Sequence, residues 1–147
     1  MVSAKAKGNA VENAVKKILE DQGFIVMKSP RTMKCISRGG IGPAFFVSQS
    51  NDFFNLYDLV AKKKGWTRWI QVKSTSSGTS SAKKPIQEFH DNYNSNSESS
   101  EIWQKVPRRG FVVYNYRTIF ENWEKIFLDL KGQECEPYVI NQGRKKK

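Results

Sequence analysis

Four side chains in this sequence have the types and the spacing to do chemistry together: Glu12, Asp58, Gln71 and Lys73. Asp58 lies inside the apolar stretch NLYDLVA. An unpaired carboxylate there is expensive, so a cation should meet it. The run IQVKST places Gln71 and Lys73 two residues apart. In a strand they share one face, while Ile70 and Val72 share the other. A buried strand has little use for a lysine unless something negative waits for it. Carboxylate, oxygen donor and lysine at one sheet edge make sense as a set. Oxygen ligands hold Mg²⁺. Such a metal polarises a phosphodiester and lowers the pKa of a bound water. The lysine stabilises the developing negative charge or helps position the attacking water. Nothing in this scheme needs histidine or cysteine.

These residues need a scaffold. AVENAVKKILEDQ reads as a helix capped by Asn9, with Val11, Ala14, Val15, Ile18 and Leu19 on one stripe. Glu12 then sits at the edge of that stripe, facing the sheet. Gly23 stops the helix and FIVMK follows as a strand. SPRTMKCISRGGIGP is a basic loop or short hairpin carrying Arg31, Lys34 and Arg38, and AFFVSQ is a strand. LYDLVAKKKGWTRWIQVKST reads as two strands joined at Lys64-Gly65. Counting outward from that turn brings Tyr57 or Asp58 opposite Gln71 or its neighbours. Asp52, in SQSNDFF, is a rival acid, read in preference as a loop aspartate.

The segment 76–101 reads as flexible, with Pro85 opening any helix there and a Ser/Asn-rich centre interrupting it. RGFVVYNYR is a strand. TIFENWEKIFLDLKG reads as a helix, with Thr118 as cap, Glu121 three residues on and Gly132 as stop. EPYVIN makes a last short strand, and 143–147 form a basic disordered tail. The alternation of helices and strands predicts an α/β fold, a mixed sheet flanked by helices in one domain over 1–142.

A chain of 147 residues with net charge +11 and a pI near 9.7 seeks an anionic partner, nucleic acid first and acidic membrane second. Lys5, Lys7, Arg31, Lys34 and Arg38 flank the proposed site and are the candidate phosphate contacts. Lys62, Lys63 and Lys64 read as a solvated hairpin tip. Two isolated cysteines, Cys35 and Cys135, make no zinc site and no disulfide framework, and read as reduced core thiols. No apolar run is long enough to span a bilayer and the N-terminus lacks a signal-peptide core, so a soluble, cytoplasmic protein is expected. His90, the only histidine, reads as exposed or satisfied. The four tryptophans read as core or dimer contacts.

The D…(E/Q)xK pattern after a helical glutamate resembles the PD-(D/E)XK nuclease superfamily. Over about residues 5–75 the wider match is to archaeal-type Holliday junction resolvases. KGNAVENAVKKILEDQGFIVMKSP is similar to their opening block, YDLVA to their PDIVA block and IQVKST to their IEVKS block. The resemblance implies a restriction-endonuclease-like fold and a homodimer that cuts four-way DNA junctions with Mg²⁺ (Mn²⁺ substituting) and no small-molecule cofactor. It implies catalytic roles for Glu12, Asp58, Gln71 and Lys73. Asp58, Gln71, the Val72 carbonyl and Glu12 would hold the metal. A catalytic hydroxyl in the loop after the first strand falls on Thr32, with Ser29 next and otherwise among the DNA contacts. Three departures stand out. Tyr57 replaces the usual proline, the spacing to Asp58 is longer, and Gln71 replaces the usual glutamate. The site thus loses one negative charge and leans on Asp58 and Glu12. A sequence-specific homing or restriction endonuclease and a noncatalytic DNA-binding module are the alternatives.

Overall fold

The computed structural model describes residues 4–36, 45–50, 52–74, 79–117 and 122–137. Helix α1 (Ala4–Asp21) leads into β1 (Ile25–Lys28) and the hairpin β2 (Arg31–Ile36) and β3 (Phe45–Ser50). Then come β4 (Leu59–Lys63), β5 (Trp66–Lys73), α2 (Thr79–Tyr93), β6 (Glu98–Val106), β7 (Gly110–Arg117) and β8 (Asn122–Leu128). Six strands form one mixed sheet in the order β1-β4-β5-β6-β7-β8, and β2 pairs only with β3. Every pairing in the large sheet is antiparallel except β5 with β6, which α2 connects in parallel.

Helix α1 lays Val11, Val15, Ile18 and Leu19 on Leu59, Ala61, Ile70, Trp103 and Val113. Its end is closed by Phe24 N–H on the Leu19 carbonyl and Gly23 N–H on that of Glu20, with Gly23 at φ 95°. That is the double bond pattern a left-handed glycine permits. The opposite sheet face is smaller, with Tyr57, Ile86 and Ile102 buried beneath α2. All four tryptophans pack into these two layers. Across the α1 face, Glu101 is fully buried and takes two bonds from Arg68, at 2.7 and 2.8 Å, and others from Ser99 and Trp103. Burial alone would raise its pKa, but the Arg68 charge and these donors hold it below the usual carboxylate range.

Several expectations need correction. Asn9 lies inside α1 instead of capping it, because the Ala/Lys-rich start is itself helical. Where the sequence suggests a flexible 76–101 segment, α2 and the start of β6 form, and Pro85 sits within α2 instead of opening it. The helix expected over 118–132 is a strand over Asn122–Leu128, paired along its length with β7. Ile126 and Leu128 join the α1 face and Trp123 the α2 face. A strand that is apolar on both faces has lost the alternation that distinguishes it from a helix, and β7 needs a neighbour. The last expected strand falls mostly outside the described residues, as do Arg38 and the 143–147 tail. Among the described residues no helix is long and apolar enough to cross a membrane.

Candidate functional site

The β4–β5 hairpin turns at Lys64-Gly65, with Gly65 at φ 79°, and pairs Leu59 with Ile70. One step further, the Asp58 N–H donates to the Ile70 carbonyl at 2.8 Å. Asp58 Oδ2 then accepts the Val72 N–H at 2.8 Å. A carboxylate thus continues the ladder where β4 has not yet begun. On its other side the Asp58 carbonyl accepts the Ser29 N–H at 2.8 Å, which draws the end of β1 to the same place. The register inferred from turn chemistry is therefore found.

Ile70 and Val72 face α1, while Trp69 packs into the α2 layer. By alternation Gln71 and Lys73 lie on the α2 side. Gln71 Nε2 donates to the Leu56 carbonyl at 2.8 Å. A carbonyl only accepts, so the amide must turn its nitrogen there and its oxygen away. Gln71 Oε1 is buried and has no hydrogen-bond partner. Lys73 is half-buried at the end of β5, and no carboxylate pairs with it among the described residues.

Glu12 projects from α1 with Lys28 Nζ 3.7 Å from its Oε1. Lys28, on β1 opposite Leu59, also donates to Asn13. Nothing in the sequence marks it, since a basic residue ending a short strand is ordinary. Asp52, the rival acid of the sequence, lies close by. It stands at the start of a turn in which Phe53 and Tyr57 exchange backbone bonds. This bridge places Asp52 across from Asp58. Burial, with Asp52 and Glu12 adding repulsion against the stabilising Val72 N–H, pushes the Asp58 pKa up to about 7.

Tyr57, at the proline position of the resembled motif, is fully buried. Its hydroxyl bonds Ser100 Oγ at 2.8 Å, and burial pushes its pKa up to about 12. Ser100 also meets His90 Nδ1 at 2.8 Å. His90 is thus neither exposed nor fully satisfied: it is buried, with Nε2 unpartnered. Burial lowers its pKa, which keeps the ring neutral. This network anchors the 52–57 turn.

The structure therefore brings together Asp58, Gln71, the Ser29 backbone and Asp52, with Glu12 close enough to act on Asp58 through its charge. Val72 contributes its amide N–H to Asp58. Thr32, Arg31 and Lys34 belong to β2, outside the large sheet, and Lys5 and Lys7 to the start of α1; for these five only the backbone is described.

Among the described residues no three His, Cys, Asp or Glu side chains form a metal-holding group by themselves. The pairing sets Asp58 opposite Gln71, so a carboxylate penalised for its charge and a buried amide oxygen lacking a donor belong to one place on the hairpin. Oxygen donors of this kind suit a hard cation. No protein-family model matches this sequence, and no curated protein matches it.

Proposed function

We propose that this chain is a Mg²⁺-dependent DNA endonuclease that cleaves four-way junctions by phosphodiester hydrolysis. The observation that carries the reading is Asp58: a carboxylate pushed up to about 7, opposite Gln71 with its unpartnered oxygen and two strand positions from Lys73 by register. The α1, β1-β4-β5, α2, β6 arrangement is consistent with a restriction-endonuclease-like domain. The net charge of +11 suits a phosphate-rich substrate.

In this reading Asp58, Gln71 Oε1, the Val72 carbonyl and Glu12 hold Mg²⁺, with Mn²⁺ able to substitute. The bound ion supplies Lewis acidity and a water of lowered pKa. Val72 N–H fixes the Asp58 carboxylate in the sheet plane, so the ligand is held before DNA arrives. Lys73 places its ammonium against the charge that builds on the phosphate. Thr32 or Ser29 approaches the scissile phosphate, and Lys5, Lys7, Arg31, Lys34 and Arg38 hold flanking phosphates. Two copies related by a two-fold axis would account for paired nicks in a junction of near two-fold symmetry. A DNA substrate implies an intracellular, cytoplasmic setting.

The test is cleavage with Mg²⁺ of a synthetic immobile four-way junction beside a linear duplex built from the same arms. Symmetric nicks in the junction alone support the reading. Cuts in the duplex at one sequence indicate a homing or restriction endonuclease instead. Tight binding with no cleavage of either indicates a noncatalytic module.

A further inference from the structure

We infer that Asp52 is the second carboxylate of the Asp58 site and carries the charge that Gln71 lacks. The inference rests on the metal-dependent reading above and changes who does the work in it. Glu12 is the carboxylate expected to compensate for the glutamine, yet it lies beside a cation, with Lys28 Nζ 3.7 Å away. Its charge raises the Asp58 pKa by repulsion. Asp52 stands across from Asp58, one step beyond the antiparallel bridge between Phe53 and Tyr57, and its charge raises the Asp58 pKa.

The turn that carries Asp52 also sets Gln71. Asn55 N–H bonds the Asp52 carbonyl at 3.0 Å, and Phe53 N–H bonds that of Tyr57 at 2.8 Å. Phe54 and Asn55 both take left-handed backbone angles, φ 56° and 60°. Such angles are unfavourable for a phenylalanine and persist where the surroundings impose them. The next residue, Leu56, accepts the Gln71 amide and so leaves Oε1 buried without a donor. One short turn therefore sets a carboxylate against Asp58 and strands an amide oxygen on the adjacent strand.

Two facing carboxylates repel when both are ionised, and a buried acceptor without a donor loses its hydration for nothing in return. A single divalent cation answers both. Asp52 and Asp58 together then carry the same charge as the aspartate and glutamate of the resembled motif, with the glutamate moved from β5 to the turn. Affinity for a hard cation follows the number of charged oxygens around it.

The experiment is a Mn²⁺ titration of the intact chain without DNA, followed by electron paramagnetic resonance. It compares wild type, Asp52→Asn, Asp58→Asn, Gln71→Glu and the double variant Asp52→Asn/Gln71→Glu. Thermal unfolding confirms that each is folded, and Asp52→Ser serves if Asp52→Asn is not. Asp52→Asn keeps the shape of the turn and removes only charge. It should weaken Mn²⁺ binding about tenfold or more, and Gln71→Glu added to it should restore the affinity. Asp52→Asn binding Mn²⁺ as wild type does, while Asp58→Asn does not, overturns this inference and leaves the metal reading intact. A double variant as weak as Asp52→Asn overturns the exchange of charge between the two positions. Equal Mn²⁺ uptake by wild type and Asp58→Asn sinks the metal reading, and this inference with it.

Discussion

The backbone N–H of Val72 donates to Oδ2 of Asp58 at 2.8 Å, so an acidic side chain takes a place in the sheet that a backbone carbonyl would otherwise fill. The strand that carries Gln71 and Lys73 is thereby fixed to the carboxylate that must work with them. A shift of one residue in the β4–β5 pairing would reverse which side chains face α1 and would break this bond. Hairpin register and site geometry are one constraint here.

The first prediction concerns pH. Asp58 is raised from 3.8 to about 7 by burial and by its acidic neighbours. The folded chain therefore holds a proton that the unfolded chain releases. That contribution to stability is full below the unfolded value of 3.8 and is lost as pH rises through about 7. Metal-free wild type should lose stability relative to Asp58→Asn across this window and keep a constant difference above it. Mg²⁺ requires the ionised form, so its stabilising effect should grow across the same window. Melting curves with and without Mg²⁺ between pH 5 and pH 8.5 check both signs. A Mg²⁺ effect that does not vary with pH contradicts the assignment.

The second prediction concerns Lys73. It ends β5 half-buried, opposite Gln104, with no carboxylate partner among the described residues. Truncation removes a charge and leaves no buried acid behind, so the fold should tolerate it. Lys73→Ala should lower junction cleavage by about two to three orders of magnitude, with junction binding retained. Single-turnover cleavage beside a binding measurement separates the two. Normal cleavage by this variant would remove Lys73 from the site.

How far the sequence carries a reader depends on whether the deciding physics is local. The hairpin was legible because Lys64-Gly65 is a two-residue turn with a glycine able to take φ 79°. The α1 stripe was legible because one face alone is buried. Strand β8 was not, because Trp123 and Ile126 serve opposite faces of a sheet covered on both sides. Its spacing imitates a helix, and only pairing with β7 decides between them. Asp52 reads in sequence only as a rival to Asp58, for a related reason. Nothing near it in sequence marks it as more than a loop acid. Its place across from Asp58 depends on left-handed angles at Phe54 and Asn55, which an asparagine takes readily but a phenylalanine does not announce.

The third prediction concerns the buried pair across the α1 face. Arg68 lies over the rings of Trp66 and Phe24, and its side chain is 12% exposed. Glu101 is its only ion-pair partner among the described residues. Removing the acid leaves the guanidinium buried and uncompensated, which typically costs about 3–5 kcal/mol. Glu101→Ala should fall in that range by urea denaturation, and Glu101→Gln, which keeps hydrogen-bonding capacity, should cost less. A loss in Glu101→Ala as small as that of a surface substitution would show that Arg68 finds water instead.

The last prediction concerns salt. The chain carries 25 Lys and Arg against 14 Asp and Glu. If backbone phosphates dominate recognition, each neutralised phosphate releases counterions, and log K falls against log salt with a slope of about −0.9 per contact. Junction binding should therefore weaken steeply between low and physiological ionic strength. Lys5→Ala, Arg31→Ala, Lys34→Ala and Arg38→Ala should each make that slope shallower by about one unit, without changing which DNA is preferred. Lys62→Ala should do so less, because its ammonium is engaged with Thr67 on an exposed hairpin. Measured slopes for the five variants decide whether the α1 start and the β2 region form the DNA face. Equal slopes throughout would mean that the positive charge acts only as a diffuse attraction, and that the groups holding DNA at Asp58 lie elsewhere on the chain.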